Sequence, residues 1–538
     1  MDRELPFSFL DHKIKCGNGL VGAWFDTFRH YPVMAWKARE GGDKNHSNGI
    51  HFEKEARTKA IKAFVRDTLT PDLRTFLSGR TLFSEDLQLK AANVHAEALE
   101  TLSRLHELPI QDSAERARIY REELVGSETY RSLKRAMDLW CACWFWPADD
   151  LDHAPLPTTL TESSAETHRI LEGVVAKIRF FHWELEFPDV FRVAGSGFDA
   201  ILGNPPWETL QPNPEEFFSN VDPLFRTYGR LVKQNRQREL FEADINFEKY
   251  WLDYSSDFNS FSNWISYSSN PFGDPEDGHS RTEAFSFRSG GKELHAKWRR
   301  QRKISKGYAS NLHPFRYQVG RIFTYKLFLE LCYTLLRDGG RLGQIVPSGV
   351  YSDSWSQPLR DVFLNRCRWE WLFGFENRDR IFDIHRSYKF NPIIVEKGSK
   401  TEVIRAAFMR RNINNWEQAE SLAIPYSRAH VEHFSPRSKT ILEIQSLRDL
   451  EILENIYSNS VILGSDGLES WNIKFKLEFM MNTDVQLFPP RLKWEADGYR
   501  PDEYSRWLNG NWRPIEQLWA KLDANTLPNG ESHWVWLF

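Results

Sequence analysis

Asn204-Pro205-Pro206-Trp207 joins a side-chain amide, two prolines and an indole directly after a short apolar run. An exocyclic amine on a nucleobase is a poor nucleophile, because its lone pair is delocalised into the ring. Two acceptors facing its protons would draw the nitrogen toward tetrahedral geometry and localise that pair toward an electrophile. The Asn204 side-chain oxygen supplies one acceptor and the Pro205 carbonyl the other. Pro206 confines the residue before it to extended conformations and Pro205 has its own fixed φ, so this carbonyl is set before a substrate arrives. Trp207 then offers a flat face to a base swung out of its helix. The plain alternative is a proline turn with Trp207 in the core. The preceding Phe198-Asp199-Ala200-Ile201-Leu202-Gly203 favours the functional reading, since it forms a short buried strand and ligands of open α/β sheets bind at carboxyl ends of strands.

Such a strand needs a sheet around it, and the flanking sequence alternates element types as strands crossing over through helices do. Residues 52–146 read as helical, with Ala91, Val94, Ala98, Leu102 and Leu105 on one face. The apolar stretch 133–146 reads as a buried helix stopped by Pro147, and a loop rich in Pro, Thr and Ser follows. A helix at 166–177 is expected to lead into a strand at 178–185. Ile322, Tyr325, Leu329, Cys332 and Leu336 keep helical spacing, Gly339-Gly340 supplies a left-handed stop, and residues 341–346 form the next strand. Residues 369–375 and 391–395 are further strand candidates. Residues 254–283, crowded with Ser, Asn, Gly, Asp and Pro, read as a long surface insertion. Residues 288–308 carry eight Lys or Arg against the single acid Glu293.

Composition bounds the reading. The 538 residues hold 70 Lys or Arg against 74 Asp or Glu, a net charge of −4, so any nucleic-acid surface must be local. Length alone suggests two to four domains at roughly 150 residues each. The 41% hydrophobic and 27% charged content and a mean hydropathy of −0.55 describe a soluble globular chain. Its 21 Trp, 38 Phe and 17 Tyr supply many flat faces, most of them destined for the core. Cys16, Cys141, Cys143, Cys332 and Cys367 lack paired CxxC spacing, which implies neither a disulfide framework nor a zinc ribbon. No segment has the length of a membrane span or the pattern of a signal peptide, and a cytoplasmic location is expected. Neither a Gly-x-Ser-x-Gly elbow nor a His-Glu-x-x-His helix occurs, so hydrolase and metal-site readings are disfavoured.

At residues 198–207 the sequence resembles the N6-adenine DNA methyltransferases, in particular the large restriction–modification methylases that join a catalytic half to a target-recognition half. Residues 325–330 and 339–348 look like the helix and strand that follow in that family. Ile381-Phe382-Asp383-Ile384-His385-Arg386-Ser387-Tyr388-Lys389-Phe390 is similar to its later motif, whose aromatic residue stacks on the flipped adenine opposite the first. The resemblance therefore makes Asn204, Pro205, Pro206, Trp207 and Phe382 the catalytic set, with a core Phe at a strand end as the plain alternative for Phe382. It implies S-adenosylmethionine as methyl donor and double-stranded DNA as partner. Lys297, Arg299, Arg300, Arg302 and Lys303 in the basic stretch, and Arg386 beside Phe382 with Arg378 and Arg380, are candidate backbone contacts. A solvated helical face is the alternative for the basic stretch.

The family's glycine-rich cofactor loop is not found upstream of Asn204 in its usual form. Gly195-Ser196-Gly197 leads into a strand rather than a helix. Gly17-Asn18-Gly19-Leu20-Val21-Gly22 matches a later motif whose side chain contacts the cofactor's adenine, which makes Asn18 a candidate cofactor contact and places the first two strands before Met1. A phosphate or ribose loop and a plain strand-end turn remain as alternatives. The expected fold is α/β: a partial Rossmann-like methyltransferase sheet with an inserted helical subdomain and a C-terminal α+β target-recognition region. The expected divisions are 1–50 (remnant of the cofactor-binding part), 51–165 (helical insertion), 166–400 (catalytic core with a DNA-binding insertion near 254–310) and 401–538 (start of an incomplete target-recognition region). The expected activity is site-specific adenine-N6 DNA methylation in DNA modification, restriction–modification or phage defence. Two alternatives stand beside it. One is a catalytically silent DNA-binding fragment that needs a separate polypeptide to supply the cofactor-binding motif. The other is methylation of protein glutamine or RNA, whose enzymes are generally much smaller.

Overall fold

The computed structural model describes residues 12–28, 31–36, 46, 49–78, 82–109, 112–160, 163–192, 195–268, 315, 317–460, 491–501, 506–508 and 534–536. Two compact units are present, Met1–Asn455 and Ile456–Phe538. No helix among the described residues is long and apolar enough to cross a membrane.

In the first unit six strands form one mixed sheet: β1 (Phe198–Gly203), β2 (Leu336–Pro347), β3 (Cys367–Glu376), β4 (Lys389–Lys397), β5 (Val403–Arg410) and β6 (Ile424–Ser427), in the order β1-β2-β4-β3-β5-β6. β1 runs parallel to β2, with Gly203 opposite Gln344. β4 is antiparallel to both neighbours and lies between β2 and β3, which sets Phe390 opposite Pro347 on one side and Phe375 on the other. β3 and β5 are parallel, and β6 closes that edge antiparallel. The helix Thr324–Leu335 feeds β2 and the helix Gln357–Arg366 feeds β3, so the parallel part is built from helix-then-strand units as the sequence pattern implies. The fold is α/β, with a partial Rossmann-like sheet and a large helical region.

β1 stands at the other edge. Among the described residues no strand pairs along its outer side. Leu202 is 85% exposed, unusual for an apolar residue of a parallel strand, which is normally covered on both faces.

Much of the core lies under the helical region. The helix Glu128–Phe145 is capped by Ser127, whose hydroxyl accepts from the Tyr130 N–H, and it ends two residues before Pro147. Leu139, Trp140, Cys141, Ala142, Cys143 and Trp144 are all buried, and Trp140 and Trp144 meet Trp264 edge to face at 6.0 and 5.5 Å. Val94, Ala98, Leu102 and Leu105 are buried along one face of Leu82–Glu107, the spacing read from the sequence.

Four elements differ from expectation. The strand Phe198–Gly203, expected to be buried, has no buried residue. The strand expected at 178–185 is absent. The helix Ala165–Ile178 ends at Arg179 in the left-handed conformation, Phe180 makes one isolated bridge to Asn18, and Trp183–Glu186 is a short helix. Residues 254–267, expected in a surface insertion, belong to the helix Ile245–Tyr267. Its small polar residues Ser255, Ser260 and Asn263 are buried, and the Asn263 amide donates to the Met34 and Ala35 carbonyls. Gly339 has the left-handed φ of +76°, yet it lies inside β2 and does not end a helix.

The segment 17–25 is fixed by polar contacts. The Ala23 N–H donates to His182 Nδ1 at 3.0 Å, so the ring proton sits on Nε2, 2.9 Å from Asp138 Oδ1. The Phe25 N–H donates to Glu184 Oε2 at 2.6 Å. Burial alone would raise Asp138, but the His182 hydrogen bond and the Lys134 charge outweigh it and hold its carboxyl below the usual range.

In the second unit β7 (Arg500–Pro501), β8 (Arg506–Leu508) and β9 (Trp534–Trp536) pair antiparallel. The aromatic end of the chain thus includes a strand.

Candidate functional site

β1 ends at Gly203, and the tetrapeptide follows at the carboxyl edge of the sheet. A Cβ at Gly203 would stand 3.0 Å from the side-chain Nε2 of Gln344 on β2, a tight contact to which that side chain would have to yield slightly. Asn204 and Pro206 are exposed, Pro205 is buried and Trp207 is half-buried. The tetrapeptide is tied down from across the chain. Thr324, at the start of the helix that feeds β2, places its hydroxyl 2.7 Å from the Pro206 carbonyl oxygen and 3.1 Å from that of Glu208, and its N–H donates to the Glu208 carbonyl at 2.9 Å. The Trp207 indole N–H reaches toward the Ile345 carbonyl at 3.4 Å.

Trp207 and Phe382 pack against the same aromatic cluster, formed by Phe373, Phe375 and Phe390 with Ala407. Phe375 and Phe390 stack with their planes 5° apart, and Phe382 meets Phe390 edge to face at 4.8 Å. The two aromatic residues singled out from the sequence, 175 positions apart, therefore share one end of the sheet.

Phe382 sits in a loop organised by Asn377, a residue that sequence reasoning missed. Asn377 is fully buried, and its Oδ1 accepts from the Phe382 N–H at 3.0 Å. Its Nδ2 donates to the Phe382 and Ile384 carbonyls at 3.0 and 2.9 Å. The only available signal was general: an Asn just after a strand tends to bond nearby backbone.

Arg378, Arg380 and Arg386 are exposed around this loop. Arg378 pairs with Glu376, which also takes Arg411. Lys297, Arg299, Arg300, Arg302 and Lys303 lie outside the described residues.

Asn18 is half-buried and away from the tetrapeptide in sequence, and its side-chain oxygen accepts from the Leu20 N–H at 3.2 Å, a local turn. The glycines around it are filled by protein. A Cβ at Gly22 would lie 1.7 Å from the Phe181 carbonyl oxygen, and one at Gly17 would lie 2.7 Å from the Phe181 ring. Close packing against 179–182 explains these glycines, and they do not line an open cradle for the adenosyl and amino-acid parts of S-adenosylmethionine. Among the described residues no other glycine loop opens a helix upstream of β1. Among the described residues, those around Asn18 therefore do not fit a cradle for the methyl donor.

No family model and no curated protein matches the chain. Among solved structures it is similar to a modification subunit of a putative type I restriction enzyme from Vibrio vulnificus YJ016, at 15% identity and a TM-score of 0.21 over 27% of this chain and 37% of that one. The modification protein of the type I enzyme EcoKI shows 16% identity and a TM-score of 0.15 over 25% and 31%. A chain from a study of assembly and conformational transition in a type I restriction–modification system is covered at 95%, with 94% of this chain, 13% identity and a TM-score of 0.23. The match thus spans about a third of the length of the first two subunits. At such low identity and TM-score, function has to be argued from the site.

Proposed function

We propose that this chain carries the target-base site of a site-specific adenine-N6 DNA methyltransferase that draws on S-adenosylmethionine and acts in DNA modification, restriction–modification or phage defence. The observation that supports this reading is the placement of Asn204-Pro205-Pro206-Trp207 at the carboxyl end of β1, with Trp207 and Phe382 on one aromatic cluster. In this reading an adenine leaves the duplex and stacks against Trp207 and Phe382. The Asn204 side-chain oxygen and the Pro205 carbonyl accept its amine protons and localise the nitrogen lone pair. Pro206 and the Thr324 hydroxyl keep the backbone from relaxing as charge develops, so the acceptors need little rearrangement during the reaction. Arg386 and the basic residues of the sequence 288–308 supply the charge to neutralise phosphates.

A second reading has a specific observation in its favour. Among the described residues no strand pairs along the outer edge of β1, Leu202 is exposed, and the glycines near Asn18 are packed shut. These features fit a chain that supplies the acceptor half of the site and needs a separate polypeptide for the cofactor.

Transfer of labelled methyl groups to unmethylated double-stranded DNA, with N204A as control, separates the two. Incorporation as N6-methyladenine that vanishes in N204A establishes a complete enzyme. Absence of transfer, reversed only by a second polypeptide carrying a glycine loop, establishes the split form. Label in protein glutamine or RNA instead of DNA would overturn both.

A further inference from the structure

We propose that Asn377 is a positioning residue that sets the Phe382 ring against the aromatic cluster it shares with Trp207, so that a planar nucleobase finds its second stacking face already in place; this rests on the target-base reading above. The loop from Asn377 to Tyr388 leaves β3 and returns into β4 with no regular pairing across its middle. Ile381 and Phe382 are half-buried against the aromatic cluster but residues 383–388 are all exposed, so apolar burial holds only the start of this stretch. A ring at its centre would sample many directions unless something fixed its backbone.

The Asn377 side chain does this with three hydrogen bonds. It accepts from the N–H of Phe382 and donates to the carbonyls of Phe382 and Ile384, and so contacts the backbone on both sides of the Phe382 side chain. Its own backbone is fixed in turn, for its N–H donates to the Tyr388 carbonyl at 3.0 Å and its carbonyl accepts from the Arg380 N–H at 3.1 Å. A side chain that is wholly buried and spends both its polar atoms on one three-residue stretch leaves that stretch little freedom. Other residue types serve less well. Aspartate would keep the acceptor but turn a negative oxygen toward two carbonyls, and alanine would leave three backbone groups without partners.

The test uses the full chain as wild type, N377A, N377D and F382A. Amide exchange read by mass spectrometry should show residues 381–384 exchanging about tenfold faster or more in N377A, with an intermediate effect in N377D, while β3 and β4 amides keep their protection. Binding is read in parallel with labelled single-stranded oligo-dA and an abasic strand of equal length, which needs no knowledge of the recognition sequence. Wild type should prefer the dA strand by roughly tenfold, and F382A and N377A should lose that preference alike while retaining affinity for the abasic strand. Unchanged exchange in N377A overturns the proposal. So does faster exchange with the dA preference kept in N377A and lost in F382A, since the ring would then be placed without Asn377. No dA preference in wild type would overturn the target-base reading itself and this role with it, an outcome distinguished because it appears before any substitution is made.

Discussion

The Thr324 hydroxyl lies 2.7 Å from the Pro206 carbonyl oxygen, across 118 residues of sequence, and ties the proline pair after β1 to the helix that feeds the neighbouring strand. Valine has nearly the same shape but no donor. T324V is expected to lower stability by about 1 kcal/mol, as for a typical hydrogen bond, measured by urea unfolding. Its effect on methyl transfer should fall on turnover and not on DNA affinity, because the lost contact acts on the acceptor backbone. A purely affinity-based defect would contradict this.

Asn204 is exposed and carries little of the fold, so N204A should change unfolding free energy by no more than about 0.5 kcal/mol. Loss of one pre-set acceptor should nonetheless reduce methyl transfer by roughly two to three orders of magnitude. The check is single-turnover kinetics beside a thermal melt. A variant that melts normally and methylates normally removes Asn204 from the chemistry.

Trp207 packs on the Phe375–Phe390 cluster, and in the proposed reading it also presents a face to the base. W207F should retain most binding, while W207A should weaken binding to adenine-containing strands by about 1–3 kcal/mol, the range for one stacked base. Fluorescence anisotropy with dA and abasic strands would reveal an equal loss on both if Trp207 served packing alone.

Acid should weaken the fold before its carboxylates titrate. Burial pushes His95 down to about 4, and burial with the nearby charges of Lys13 and Arg116 does the same for His12. Both rings stay neutral in the folded chain down to that pH, whereas the unfolded chain takes up protons below about 6.5. The unfolded state therefore binds more protons between about pH 6.5 and 4, and stability should fall as pH falls through that window. Melting temperature against pH is the measurement, and H95F should show a shallower fall than wild type.

What could be read in the sequence and what could not divide along physical lines. The apolar run before Asn204 and the helix-then-strand pattern around β2 and β3 are local signals, and they survive in the fold. The convergence of Trp207 and Phe382 depends on β4 entering antiparallel between β2 and β3, which no local pattern states. Phe180-Phe181-His182-Trp183 has the apolar density of a strand, yet His182 and Glu184 are drawn to the backbone of Ala23 and Phe25 and the strand does not form. Ser255, Ser260 and Asn263 suggested a loop because small polar residues favour turns, but in the fold they sit buried on the helix Ile245–Tyr267. Asn377 was invisible for the same reason as its importance: its three partners exist only once the loop has turned back.

Among the described residues no strand pairs along the outer side of the six-residue β1, and Leu202 is exposed beside it; an unpaired strand edge is a template for an added strand. In the proposed reading, a segment pairing there would stiffen the very strand whose last residue precedes Asn204, so that strand addition along this flank and readiness of the amine acceptors would be mechanically one event.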